Sequence, residues 1–220
     1  EIVRDMKGDP LQMMFNYVSG GTGYEFKGGD AIYEDVNHDG NINQLDIVYL
    51  GNSLPKLTGG FGFKFNYGDW ALNAQFNYRY GNKIANVARM MAENMHGADN
   101  QSTAVNYRWR KEGDGANGGH VLPRALYGQG YNWMGSDRFV EDGSFLRLNY
   151  LQLSYGFDSK LVKRIGLSRL NLYVSGENLF CLTKYSGVDP EVNYGSMGVT
   201  KDEAITPRAK SFTFGLTATF

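Results

Sequence analysis

Ser211-Phe212-Thr213-Phe214-Gly215-Leu216-Thr217-Ala218-Thr219-Phe220 alternates without a fault: every even position is apolar and every odd one small or polar. Successive side chains of a β-strand point to opposite sides. The stretch therefore has one apolar face and one wet face. A strand of this kind suits a wall with lipid on one side and a polar lumen on the other.

The same alternation recurs upstream. Phe61, Phe63, Phe65 and Tyr67 alternate with Gly62, Lys64 and Asn66; beyond Gly68-Asp69, the run Trp70, Leu72, Ala74, Phe76, Tyr78, Tyr80 alternates with Ala71, Asn73, Gln75, Asn77, Arg79. These are two long strands joined by a tight turn. Between Ser144 and Phe157 the apolar phase changes, from Leu146, Leu148 and Tyr150 to Leu151, Leu153, Tyr155 and Phe157. That change predicts a bulge near Asn149. A fourth strand is expected over Arg169 to Glu177, and a weaker one through Met13, Phe15 and Tyr17. Runs of about 9 to 11 residues match a tilted bilayer-crossing strand, whereas soluble strands usually have about 5 or 6. Ending on Phe220 is also how bacterial outer-membrane barrels end. The expected fold class is all-β: strands of a large antiparallel transmembrane β-barrel.

Composition agrees, with 29 Gly, 15 Tyr and 13 Phe against 5 Pro. No run approaches the ~20 apolar residues of a membrane helix. Glu1-Ile2-Val3-Arg4 shows no signal peptide, so the start is expected to have been removed or to lie elsewhere. A net charge of −1 gives no basic stripe for nucleic acid. Cys181 has no disulfide partner and reads as inert. His38, His96 and His120 are far apart and no Ser or Cys sits in a nucleophile motif, so the chain does not read as an enzyme.

Connections alternate in length. Gly68-Asp69 and Asp158 to Ser168 are short, while Gly81 to Gly143 and Thr183 to Arg208 are long. Barrels of this class have short periplasmic turns and long extracellular loops; residues 81–143 thus form a long extracellular loop. Within it Ile84, Val87, Ala88, Met91 and Met95 recur at helical spacing from Asn82, with Gly97 as a stop. Trp109, Tyr131 and Trp133 are weak candidates for stacking on a substrate; the plainer reading, with Tyr127 included, is that they pin the loop.

Residues 35–46, Asp-Val-Asn-His-Asp-Gly-Asn-Ile-Asn-Gln-Leu-Asp, place oxygen side chains at loop positions 1, 3 and 5, Gly at 6 and a carboxylate at 12. This is the ligand spacing of an EF-hand-type calcium loop. Asp35, Asn37, Asp39 and Asp46 would ligate a Ca²⁺ by side chain and Asn41 by its carbonyl. The other reading is an Asx-rich turn without metal. The loop also raises a rival class, a soluble dockerin-like calcium-binding module of a glycan-degrading enzyme, although a dockerin carries two such loops.

The stretches 29–40 (GDAIYEDVNHDG), 51–56 (GNSLPK), 142–148 (DGSFLRL), 174–180 (VSGENLF) and 184–191 (KYSGVDPE), in this order, resemble the C-terminal part of a SusC-type TonB-dependent transporter. The resemblance implies a barrel of roughly 22 strands, of which residues 1–220 are the C-terminal part. It implies the remaining strands and a plug elsewhere, energy from the TonB complex, and residence in the outer membrane of a Gram-negative bacterium among lipid and LPS. It implies as well a SusD-like surface lipoprotein and a bulky nutrient, glycan or peptide, as cargo.

Overall fold

The computed structural model describes residues 7, 12–13, 24–115, 122–192 and 199–220. The chain divides into two units, Glu1–Leu50 with Val87–Phe139, and Gly51–Asn86 with Val140–Phe220.

In the first unit β1 (Gln12–Met13) lies between β2 (Tyr24–Glu25) and β3 (Asn41–Ile42), antiparallel to one and parallel to the other. The weak strand expected through Phe15 and Tyr17 lies outside the described residues. Phe26, Ile42, Leu126 and Tyr131 form one apolar cluster, and Met95, Val105, Leu122, Trp133 and Phe139 a second. Helix α1 is Val87–Glu93. The helix expected from Asn82 begins five residues later than its apolar spacing suggests.

In the second unit the wall consists of β4 (Leu57–Tyr67), β5 (Trp70–Tyr80), β8 (Phe145–Gly156), β9 (Arg169–Thr183) and β11 (Ser211–Thr219). Their connections carry β6 (Lys83–Asn86), β7 (Val140–Asp142), helix α2 (Ser159–Val162) and β10 (Lys201–Asp202). β6 pairs with both β7 and β10, tying the two long connections together. This pairing accounts for the displaced helix start: Ile84 is fully buried against Tyr185 and Val192 as a strand residue. Tertiary pairing overrides a helical spacing here.

The five wall strands form an antiparallel meander in the order β11-β9-β8-β5-β4. Its register joins like with like. One row of paired residues runs Phe65, Leu72, Leu153, Val174, Phe214; the neighbouring row runs Lys64, Asn73, Gln152, Ser175, Thr213. The expected bulge is present: Asn149 has no partner on β5, and on β9 two residues, Asn178 and Leu179, stand opposite it. Asn178 adopts φ 51°, a left-handed conformation that Asn tolerates, and this lets β9 continue to Thr183, six residues past the expected end. Tyr150 pairs with Gln75 and Glu177 and so lies on the polar face, not with Leu146 and Leu148 as its phase suggested.

The apolar face is bare. Phe65 is 61% exposed, Phe214 81% and Phe220 93%, in a sheet whose other side is polar. Soluble monomers rarely show contiguous apolar patches beyond a few hundred Å²; lipid covers such a face at no cost. Aromatics gather at the short-turn rim, where Trp70 stacks obliquely on Tyr155 at 4.8 Å and Tyr155 meets Phe157 edge-on at 5.0 Å. This is the girdle position of a transmembrane barrel. β4 and β11 lack an outer neighbour among the described residues. Unpaired edges are not viable in hydrocarbon, so the sheet is one arc of a larger closed wall.

The face assignment is testable with two adjacent positions. Phe214→Arg places a charge in lipid near the middle of β11, at about 2 to 4 kcal/mol, whereas Thr213→Arg points into the lumen. Outer-membrane yield of the full-length protein should fall sharply for the first and little for the second; the opposite order would mean that the faces are reversed, and equal yields that β11 has no face in lipid.

Candidate functional site: the polar wall and its loops

The wet side of the sheet carries Lys64, Asn66, Asn73, Gln75, Asn77, Gln152, Ser154, Ser175 and Thr213; Lys64, Asn66, Gln75 and Thr213 are exposed to whatever lies inside a barrel, while Ser175 is buried. Its centre of charge is Arg147 on β8. A lone arginine in the apolar run Phe145–Leu148 takes the polar phase of the strand, paired with Asn77 and Cys181. Its side chain is 5% exposed. Nη2 donates to Asp189 Oδ1 at 2.5 Å and Nε lies 3.3 Å from Glu191 Oε2. Glu191 in turn accepts from Arg208 Nη2 at 2.9 Å, and the Arg208 backbone N–H donates to Asp189 Oδ2 at 3.2 Å. Two guanidinium and two carboxylate groups thus bind the Asp189-Pro190-Glu191 segment and Arg208, the two ends of a long loop, to one point on the wall. Sequence reasoning missed this network. The available signal was a charged residue inside an apolar strand together with Asp-Pro-Glu in a loop.

Nearby loop contacts repeat the theme. Glu141 accepts from Asn86 Nδ2 at 3.1 Å and from Ser186 Oγ at 2.7 Å and N–H at 2.8 Å. Tyr185 Oη donates to Asp202 Oδ2 at 2.6 Å. Burial, with that carboxylate beside it, pushes the Tyr185 phenol well above its usual range and keeps it a donor.

The first unit holds the expected site residues. Asp35 Oδ2 accepts from the Gly40 N–H at 2.8 Å, Asn37 Oδ1 from the Asp39 N–H at 3.0 Å and Asp39 Oδ1 from the Asn41 N–H at 2.8 Å. Gly40 turns the chain with φ 87°. These are the close turn and backbone bonds that the 1, 3, 5, 6 spacing implies. Asp46 does something else: its two oxygens accept from the Val36 and Asn43 N–H groups at 2.9 and 2.8 Å, capping a 3₁₀ turn at Gln44–Asp46. Among the described residues no three Asp, Glu, His or Cys side chains stand close enough together to hold a metal. Asp35 and Asp46 each accept two backbone N–H groups and keep further lone pairs, so the oxygens at positions 1, 3, 5 and 12 are all of a kind that a Ca²⁺ takes. The bond from the Asn41 amide holds the Asp39 carboxyl below the usual carboxylate range.

Trp109, Tyr131 and Trp133 pack against other residues of the first unit, Trp109 half-buried and the other two buried. Tyr131 and Trp133 are each 5% exposed. Tyr131 stacks on Tyr24 at 4.0 Å, and Trp133 lies under the Arg138 guanidinium at 5.0 Å. Neither ring presents a face to a ligand. Trp109 covers Gly29, where a Cβ would sit 2.3 Å from the ring and where φ is 86°. Beside them Asp30 takes bonds from Arg124 Nε at 2.6 Å, Tyr24 Oη at 2.8 Å, the Lys27 N–H at 2.8 Å and Asn132 Nδ2 at 3.1 Å. Burial alone would raise the Asp30 carboxyl, but these donors, Arg124 first, outweigh it and hold it below its ordinary value. Burial and the same carboxylate push Tyr24 up to about 12.

No family model matches the chain. Curated relatives do. TonB-dependent receptor P39 of Formosa agariphila is 30% identical over 207 residues, which cover 84% of this chain and 19% of that protein. TonB-dependent receptor SusC of Bacteroides thetaiotaomicron is 28% identical over 200 residues, 87% of this chain and 18% of that one. The RagAB peptide importer in its closed-closed state superimposes with a TM-score of 0.64 at 26% identity, over 77% of this chain and 18% of that one. Over most of its length the chain is thus similar to TonB-dependent receptors, SusC among them. It spans about a fifth of the length of the curated relatives it matches. Its sheet is an arc of a SusC-like barrel, and its place is the outer membrane of a Gram-negative bacterium. The relatives are receptors and transporters, not enzymes.

Two outcomes follow from this geometry. Removing Arg147 leaves Asp189 buried without its partner, a loss of about 3 to 5 kcal/mol; in the SusC-like receptor, Arg147→Met should expose residues 184–208 to protease, and Arg147→Met with Asp189→Leu should restore part of the resistance. At residues 35–46 the expected Ca²⁺ gives the second outcome: chelating calcium from the purified full-length receptor should open the loop to protease, as should Asp39→Ala; a loop that stays protected in the chelator is held by its Asx-turn hydrogen bonds alone.

Proposed function

We propose that this chain forms part of the conducting wall of a TonB-energised importer of bulky nutrients, oligosaccharides or peptides, and that a SusD-like surface lipoprotein works with it at the extracellular side. The observation that carries the reading is the strict two-sidedness of the sheet: five strands in register, with a bare apolar face and a continuous polar row from Lys64 to Thr213. A wall of this kind serves passage between two aqueous spaces. The looped ends support the import class further, because the Arg147–Asp189–Glu191–Arg208 pairs fix a long extracellular connection instead of leaving it as a floppy lid. A dockerin-like soluble module is disfavoured by the same sheet, since its apolar face would stand in water.

Between the two cargo classes, the likeness to a peptide importer favours peptides. The polar row suits them physically, because amide and hydroxyl side chains bind peptide backbone without reading sequence. A strain lacking the full-length receptor should grow poorly when peptides are the sole amino-acid source and normally on free amino acids. Restored growth should require the intact polar wall, with Asn73→Leu/Gln152→Leu giving reduced uptake at normal outer-membrane level. Normal growth of the deletion strain on peptides, with poor growth on an oligosaccharide, would transfer the assignment to glycans.

A further inference from the structure

The two faces of the sheet differ at the end where the long connections leave. On the polar face of β8, Phe145 and Arg147 are buried, while Gln152 and Ser154, nearer the short turn, are half-buried. Gln75, one polar step below the Asn77–Arg147 pair, is exposed. The apolar face at the same height is bare: Tyr80 is 62% exposed and Leu182 61%. Leu182 pairs with Leu146 and Thr183 with Phe145, so the height is shared and only the side differs. What covers this end of the sheet lies on the polar side.

The cover is the chain's own loop. Asp189 and Glu191 reach Arg147 as ion partners, and Pro190 between them is fully buried. Arg208 closes on both, through its side chain to Glu191 and its N–H to Asp189. Behind this strap β6 joins β7 to β10, Ser186 donates to Glu141, and Ile84, Tyr185 and Val192 form a small core of their own. A body with its own core and buried polar bonds lies at the firm end of a protein's range of local stabilities. In a barrel the polar side of the wall faces the lumen. A firm block packed on that side, at the long-loop end, projects into the extracellular mouth and takes up part of its width.

We propose that this block, residues 82–86, 140–142, 185–192 and 199–208, is a ledge inside the mouth that limits the bulk of the cargo admitted, with Arg147 as the positioning residue that holds it inward. The proposal rests on the chain being part of an importer's wall, and it adds to that reading an element that sets which cargo passes. Arg147 is the link because it alone joins the strap to a wall strand through two carboxylates. Without it the strap keeps Arg208 but loses its hold on β8.

The test uses intact cells carrying the full-length receptor with Gln75→Cys and its other cysteines replaced by Ser. They are labelled from outside with a compact maleimide and with one enlarged by a polyethylene glycol chain. The compact reagent should label this parent and its Arg147→Met variant alike, and the bulky one should label the variant several-fold more. Uptake should move in the same sense. From a length-graded mixture of peptides, or of oligosaccharides if these are the cargo, Arg147→Met should take up longer molecules than the parent does; a merely weakened fold lowers uptake at every length. Heat-modifiable migration on a gel reports the folded barrel in each sample, and Arg208→Gln, which frees one end of the strap, replaces Arg147→Met if that variant is not folded. Equal labelling of parent and variant by the bulky reagent, or uptake that falls without a shift in length, overturns the ledge. Failure of the compact reagent to label either protein, or absence of uptake by the parent, refutes instead the import route on which the proposal rests.

Discussion

A strand bathed in lipid has no water to satisfy its N–H and C=O groups, so every one must be paired with a neighbouring strand. That requirement shapes the whole second unit. It forces a continuous ladder from β4 to β11, and a ladder with one face in hydrocarbon forces side-chain parity to be kept across all five strands at once. The paired rows of Phe65 to Phe214 and Lys64 to Thr213 are the visible result. Stability in such a wall resides in backbone pairing and parity, because lipid supplies no hydrophobic drive to bury one apolar side chain against another.

The loops obey a different chemistry. Exposed to water and long, they lose conformational entropy on being ordered, and small apolar clusters alone recover little of it. They are held instead by polar groups buried or half-buried with their partners: Arg147 with Asp189, Tyr185 with Asp202, and Asp30 with Arg124. Burying such groups is costly unless each is matched, which makes the arrangement specific to one loop conformation. The polar wall and the fixed loop therefore meet at one residue. Arg147 belongs to both.

The wall was legible in the sequence because parity is a local property that a single strand displays. The phase change between Leu148 and Leu151 even announced the bulge. What escaped was whatever depends on residues far apart in the chain. Ile84 looked helical beside Val87 and Met91, and only pairing with β7 and β10 makes it a strand residue. Trp133 was a weak candidate for stacking on a substrate, with pinning of the loop the plainer reading, and only the fold places Arg138 and Phe139 against it. The spacing of residues 35–46 pointed to the close turn at Gly40 and its backbone bonds, yet it could not show that Asp46 also accepts from the Val36 and Asn43 amides. The ion pairs of Arg147 span 42 and 44 positions, beyond the reach of any local pattern.

The unpaired Asn149 has a consequence for how this wall can change over time. On the loop side of it β8 points even-numbered residues to lipid, and on the turn side odd-numbered ones. Losing that single residue would rotate the upper half of the strand by one step, carrying Arg147 into the bilayer and Leu146 and Leu148 into the lumen. Length in this strand is thus inherited as a frame, much as a coding sequence is. Insertions and deletions are tolerated in pairs, or when the adjoining strand shifts with them, and relatives that differ by one residue at this point are to be aligned by which side each residue faces rather than by its letter.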